Sequence, residues 1–107
     1  MKADTQEAID GVLAVDRLVH EPARLVILTV LAGAESAEFG FLENVCRLSK
    51  GNLSSHLSKL ETGGLVLIDK SFRGKKPLTR IAISDKGRNA LARYRTQLAA
   101  LVAASEP

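Results

Sequence analysis

A mainly α fold with a small antiparallel β-hairpin (α+β) is what this sequence predicts, and three observations carry that expectation. Apolar residues recur at helical spacing over most of the 107 residues. Two short segments alternate instead: Val66, Ile68 and Lys70 against Leu67 and Asp69, then Ile81 and Ile83 against Arg80 and Ala82. Aromatic residues make up only 4% and Trp is absent, so the core has to be aliphatic, which suits packed helices backed by a small sheet.

Taken in order, Ile9, Val12, Leu13 and Val19 place a first helix over residues 5–19, with Asp4 or Thr5 as N-cap. His20-Glu21-Pro22 breaks and restarts the chain. Pro22 suits a first helical turn, where its missing N–H has no intrahelical partner. The second helix runs to Ala32 with Gly33 as its stop, and it is apolar around most of its circumference, which marks it as the most buried helix. Glu38-Phe39-Gly40 is expected to form a brief strand. A third helix over 41–47 should bury Leu42 and Val45, and Leu48 closes a tight turn. Ser49 is placed to cap a fourth helix ending at Thr62, before Gly63-Gly64. Two short helices joined by about three residues have the form of a helix-turn-helix. The alternating segments follow, separated by the loop 72–77. Ser84 then caps a last helix to Ala103, whose Leu91, Tyr94, Leu98 and Leu101 are spaced in the 3-4-3 rhythm of a coiled-coil seam.

The length is right for one domain, 1–107, and too short for two. Cys46 stands alone, so neither an internal disulfide nor a Cys-paired zinc site is available, and its neighbours Leu42, Val45 and Leu48 read as core. Residues 1–10 are acidic and lack an apolar run, and the stretch 25–34 is too short to span a bilayer. A soluble, cytoplasmic protein without membrane association is expected. The net charge of +3 is unevenly spread. Residues 1–46 carry 3 Lys/Arg against 8 Asp/Glu, residues 47–80 carry 8 against 2, and residues 81–107 carry 4 against 2. Positive charge concentrated in one central third is the footprint of a polyanion binder.

The fourth helix carries the chemistry. At about 100° per residue, Leu53, Leu57 and Leu60 form one stripe, and Asn52, Ser55, Lys59 and Thr62 project from the far side, with Ser54, His56 and Ser58 on the flanks. Asn can bond adenine in two places, Ser can meet base or phosphate, and Lys guanine or phosphate, while small side chains let the helix axis approach base edges. A plain surface helix would more usually carry long Glu/Lys pairs. The loop residues Arg73, Lys75 and Lys76 suit a phosphate clamp, or else an edge hairpin guarded against aggregation.

Several runs together are similar to the small winged helix-turn-helix regulators of the MarR/ArsR type. They are His20-Glu21-Pro22-Ala23-Arg24-Leu25, Phe39-Gly40-Phe41-Leu42, the segment from Leu48-Ser49-Lys50-Gly51 to Ser55-His56-Leu57, and Leu60-Glu61-Thr62-Gly63-Gly64-Leu65-Val66. Lys70-Ser71-Phe72-Arg73-Gly74-Lys75-Lys76-Pro77 and Ile83-Ser84-Asp85-Lys86-Gly87-Arg88 extend the likeness, which covers residues 20–91. The resemblance implies a winged-helix core over 20–83, flanked by dimerisation helices at 5–19 and 84–103. It implies a homodimer that binds double-stranded DNA and regulates transcription, with a recognition helix at 50–62 and a wing at 72–77. The DNA-facing residues are then Ser49, Lys50, Asn52, Ser54, Ser55, His56, Lys59, Arg73, Lys75, Lys76 and Arg80. The dimerisation residues are Ile9, Leu13, Leu91, Tyr94, Leu98 and Leu101, the last four of which would otherwise face water.

The chain departs from metal sensors of the ArsR type, which carry a Cys-x-Cys-like element where only Cys46 stands. No metal or cofactor is expected, and no residue pattern indicates a small-molecule effector. Enzymatic function is not expected either: His20 and His56 head no nucleophile or metal motif, and no acid–base constellation can be assembled. The remaining alternative is a winged-helix protein–protein adaptor without sequence-specific DNA binding, against which stand the Ser, Asn and Lys of the fourth helix, where an adaptor would expose aromatics or Leu.

Overall fold

In the computed structural model, which describes residues 3–107, the chain runs α1 (Ala3–Leu13), α2 (Pro22–Ala32), β1 (Ala37–Glu38), α3 (Phe39–Cys46), α4 (Lys50–Thr62), β2 (Val66–Arg73), β3 (Lys76–Ile83) and α5 (Asp85–Ala104). Side-chain caps set three of the helix starts. Both carboxylate oxygens of Glu21 accept from the first turn of α2, from Ala23 N at 3.1 Å and Arg24 N at 2.8 Å, with Pro22 at the first helical position. Ser49 Oγ accepts from Asn52 N at 3.1 Å, and Ser84 Oγ accepts from Gly87 N at 2.9 Å. Each satisfies an N–H that the helix itself cannot pair.

Four local expectations need correction. The first helix ends at Leu13, not Val19. Asp16 Oδ1 accepts from Leu18 N at 2.9 Å, and its carbonyl accepts from Val19 N at 3.1 Å and His20 N at 2.9 Å, so this stretch is held in turns. Val19 is fully buried from that turn, so its apolar character reflects the core and not helical periodicity. The brief strand is Ala37–Glu38, and Phe39 and Gly40 already belong to α3. Within α3, Leu42 is buried and Cys46 packs partly buried against the core, but Val45 is exposed along with Phe41. Residues four apart share a row on a helix, and the inward row here is Leu42 and Cys46. Arg47 then takes left-handed geometry (φ 55°, ψ 45°) to end α3.

The fourth correction concerns the hairpin. The strands continue through most of the expected loop, leaving only Gly74 and Lys75 as the turn, with Arg73 opposite Lys76. Gly74 sits at φ 64°, the position a type II′ turn reserves for glycine. Pro77 lies one pair back from the turn, opposite Phe72. There the alternation of an antiparallel ladder directs its backbone nitrogen away from β2, and β1 pairs only with residues 80 and 81, so the missing N–H breaks no ladder bond.

The antiparallel sheet has the order β1-β3-β2. Against it pack Ile27, Leu28 and Leu31 of α2, Leu42 of α3, Leu53, Leu57 and Leu60 of α4, and Leu91 of α5, joined by Val66, Ile81 and Ile83 from the strands. Leu91 and Tyr94 are 2% and 5% exposed. The expectation that the whole Leu91/Tyr94/Leu98/Leu101 stripe would face water is therefore corrected: its first half fills the chain's own core. Tyr94 Oη also lies 2.8 Å from His20 Nδ1, tying α5 to the turn before α2. Beyond this point α5 runs antiparallel to α1, with Gly11 beside Gln97 and Ala8 across from Ala100 and Ala104. This two-helix arm gives the molecule its elongated outline of 61 × 24 × 21 Å.

Candidate nucleic-acid interface

With Leu53, Leu57 and Leu60 buried, α4 is held by one face and shows the opposite one to solvent. Asn52, Ser55 and Lys59 stand exposed there, as the spacing predicts. Lys50, Ser54 and Ser58 turn to one side, where they and the β2–β3 hairpin enclose an open groove of roughly 980 Å³. Lys70, Arg73 and Lys76 line the hairpin side. Lys75 lies at the exposed tip. Small hydroxyls on one wall and cations on both suit a phosphate-bearing ligand.

The structure separates the eleven residues expected to face DNA into distinct groups. Lys50, Asn52, Ser54, Ser55, Lys59, Lys75 and Lys76 are exposed, and none of their side chains is hydrogen-bonded or ion-paired within the described residues. Ser49 is exposed, but its oxygen caps α4. Arg73 and Arg80 are drawn to Glu38. Arg73 Nη2 donates to Glu38 Oε1 at 2.5 Å, Arg80 Nη2 lies 3.7 Å from the same oxygen, and Arg80 Nη1 donates to Ser36 Oγ at 3.4 Å.

His56 is a correction in orientation. It is half-buried and turned toward the N-terminus of α2, with Nδ1 at 3.2 Å from Arg24 Nη1 and 3.7 Å from Glu21 Oε2. In the neutral ring Nδ1 accepts from Arg24; in the protonated ring the imidazolium faces the Glu21 carboxylate instead. Arg24 also donates from Nε to Leu18 O at 2.7 Å. Arg24 thus joins the turn before α2 to the middle of α4, and His56 helps seat the helix. Partial burial raises the Glu21 pKa, but the N–H groups of Arg24 and Ala23 and the nearby His56 and Arg24 charges outweigh it, leaving the carboxyl below its ordinary value.

Sequence reasoning left Glu38, Ser58, Lys70 and Thr79 out of the DNA-facing set, though all of them line the groove and Ser58 was placed on the flank of α4. Lys70 was recoverable from strand alternation, since it shares a face with Ile68. Glu38 was not, because its partners lie 35 and 42 positions away along the chain. Among the described residues no group of three or more His, Cys, Asp or Glu could hold a metal ion, and no helix is long and apolar enough to cross a membrane.

A solved transcriptional regulator homologue from Pyrococcus horikoshii superposes with a TM-score of 0.85 at 29% identity, covering 94% of this chain and 99% of that one. A MarR family transcriptional regulator from Silicibacter pomeroyi shares the fold at a TM-score of 0.58 and 19% identity, covering 95% of this chain and 62% of that one. An uncharacterized protein of Methanocaldococcus jannaschii is 38% identical over 78 residues, which span 73% of this chain and 85% of the relative. The sequence model of the winged helix DNA-binding domain matches residues 23–102, from the second residue of α2 almost to the end of α5. Because that match covers well over half of the chain, the chain belongs to the winged helix DNA-binding domain family.

Proposed function

We propose that this protein is a homodimeric, sequence-specific double-stranded DNA-binding regulator of transcription, acting in the cytoplasm, with residues 1–107 working as one unit. The observation that carries the reading is the exposed Asn52/Ser55/Lys59 face of α4 beside a groove whose hairpin wall bears Lys70, Arg73 and Lys76. In this reading α4 enters the major groove and Asn52 and Ser55 meet base edges. Lys50, Lys59, Lys75 and Lys76 meet phosphate, with the hairpin as the wing. The Pyrococcus horikoshii protein, a transcriptional regulator homologue of almost the same length, supports this assignment.

The dimer is proposed to form through the α1–α5 arm. Leu13 and Val102 are 75% and 53% exposed, and Ile9, Leu98 and Leu101 on the same two helices are half-buried. A second copy would cover this seam, while Leu91 and Tyr94 brace it from within the protomer. Two-fold symmetry then calls for a roughly palindromic operator, with half-sites about one helical turn (~10 base pairs) apart or a multiple of it.

Selection of bound sites from random duplex DNA tests the reading directly. Enrichment of a palindromic site by the wild-type chain, lost in the Asn52→Ala/Ser55→Ala double variant, supports it. Retention of random sequences without enrichment overturns sequence specificity.

A further inference from the structure

The inference concerns Glu38, and it rests on the DNA-binding reading above. Glu38 and Glu21 occupy the same local position, each the N-cap of the next helix in extended backbone geometry. Glu21 uses its carboxylate as a cap. Glu38 makes no side-chain cap bond at all. Its carboxylate turns away from its own helix and holds two arginines, Arg73 at 2.5 Å and Arg80 at 3.7 Å.

The reach involved is unusual. Glu38 is paired with β3 opposite Arg80, whereas Arg73 is paired with β3 opposite Lys76, near the hairpin tip. In the order β1-β3-β2, the Arg73 side chain has to cross the central strand and lean back from the tip to meet Glu38. The carboxylate it meets lines the same groove as Lys50, Lys70 and Lys76. The groove meant for phosphate therefore holds a fixed negative charge, which occupies the wing's arginine.

We propose that Glu38 is a selectivity residue: it competes with DNA phosphate for Arg73, and so suppresses binding to duplexes that α4 does not recognise. The pair is well exposed, with Arg73 at 66% and Glu38 at 38%. Exposed pairs of this kind are weak, so phosphate brought close by a matched α4 contact can displace the carboxylate. A duplex held only by charge has no such help, and meets a groove in which Glu38 joins Glu61 as an anion and Arg73 is occupied.

The test measures binding of the full chain to a selected operator and to random duplex DNA across a salt series. Glu38→Gln removes the charge with almost no change in shape, and thermal unfolding checks that the fold persists. The expected result is roughly three- to tenfold tighter binding to random DNA near 0.1 M salt. The log–log salt slope should steepen by about 0.9, one added phosphate contact, and the operator-to-random ratio should fall. Adding Arg73→Ala to Glu38→Gln should remove most of the gain. Unchanged or weaker binding of Glu38→Gln to random DNA overturns the proposal, as does a gain that survives in the double variant. If the wild-type chain binds no duplex even at low salt, the DNA-binding reading itself fails; wild-type binding without the Glu38→Gln gain removes the selectivity role alone.

Discussion

Helices α4 and α5 begin alike and end in different roles. Each follows a serine whose hydroxyl accepts from the N–H three residues on, and each carries a glycine in its first turn. Each also bears a row of leucines. In α4 the row is buried along its length, so the opposite face is presented uniformly to solvent. In α5 burial fades along the helix: Leu91 and Tyr94 lie in the core, Leu98 and Leu101 are half-buried, and Val102 is exposed. Local signals start a helix and choose its inward row. What the helix then does depends on how far its neighbours accompany it.

The two glycines give the sharpest way to break this comparison. A Cβ on Gly87 would lie 2.1 Å from Leu65 O and 2.8 Å from Ile83 Cγ1, whereas one on Gly51 meets nothing within 4 Å. Gly87→Ala forces the start of α5 away from the strand backbone and should cost about 2–4 kcal/mol of unfolding free energy. Gly51→Ala should instead stabilise by about 0.5–1 kcal/mol, because alanine loses less backbone freedom on folding. Urea titration of both variants checks the difference. Equal effects would mean that the two helix starts are packed alike.

The next contrast lies within α4. Asn52→Ala and Ser55→Ala should each weaken operator binding by about 1–3 kcal/mol, with far less effect on random DNA. Both residues are exposed, so stability should stay within about 0.5 kcal/mol of wild type. An unchanged operator-to-random ratio for both variants would remove this face from sequence readout.

For α5 and its partner α1, the informative substitution is Leu13→Asp. Leu13 is largely exposed, so an aspartate there should change protomer stability by less than about 0.5 kcal/mol while shifting sedimentation from dimer to monomer. Leu98→Asp, the choice the sequence pattern favours, would mix two effects because Leu98 also packs on the core. A Leu13→Asp protein that still sediments as a dimer would move the interface away from this arm.

The smallest effect concerns pH. The pKa of Glu21 is lowered in the folded chain, so its contribution to stability is present above the unfolded carboxyl value and is lost as pH falls through the lower, folded one. Glu21→Gln should flatten that part of the acid limb in a series of unfolding titrations. Replacing Glu38 by Gln, by contrast, removes no cap from its helix. An acid limb that Glu21→Gln leaves unaltered would show that the cap binds the neutral side chain equally well.

Much of this molecule was legible before any tertiary information. The Ser49 and Ser84 caps, Pro22 at a first helical turn, the Gly33 stop and the leucine stripe of α4 are local or periodic features, and each depends on residues within a turn or two of itself. The outward face of α4 follows from the same periodicity, so Asn52, Ser55 and Lys59 could be placed from spacing alone. Tertiary structure decided what depends on distant partners. It ended α1 at Leu13 and buried Val19 from a turn, because a core takes apolar groups from any backbone that reaches it. It extended the hairpin through Phe72 and Pro77, because pairing with β3 outweighs the turn propensity of single residues. It also turned His56 toward Arg24 and joined Glu38 to Arg73, contacts spanning 32 and 35 positions that no local pattern encodes. The sequence determines which helices form and which faces they bury; only the packed chain decides which charges meet.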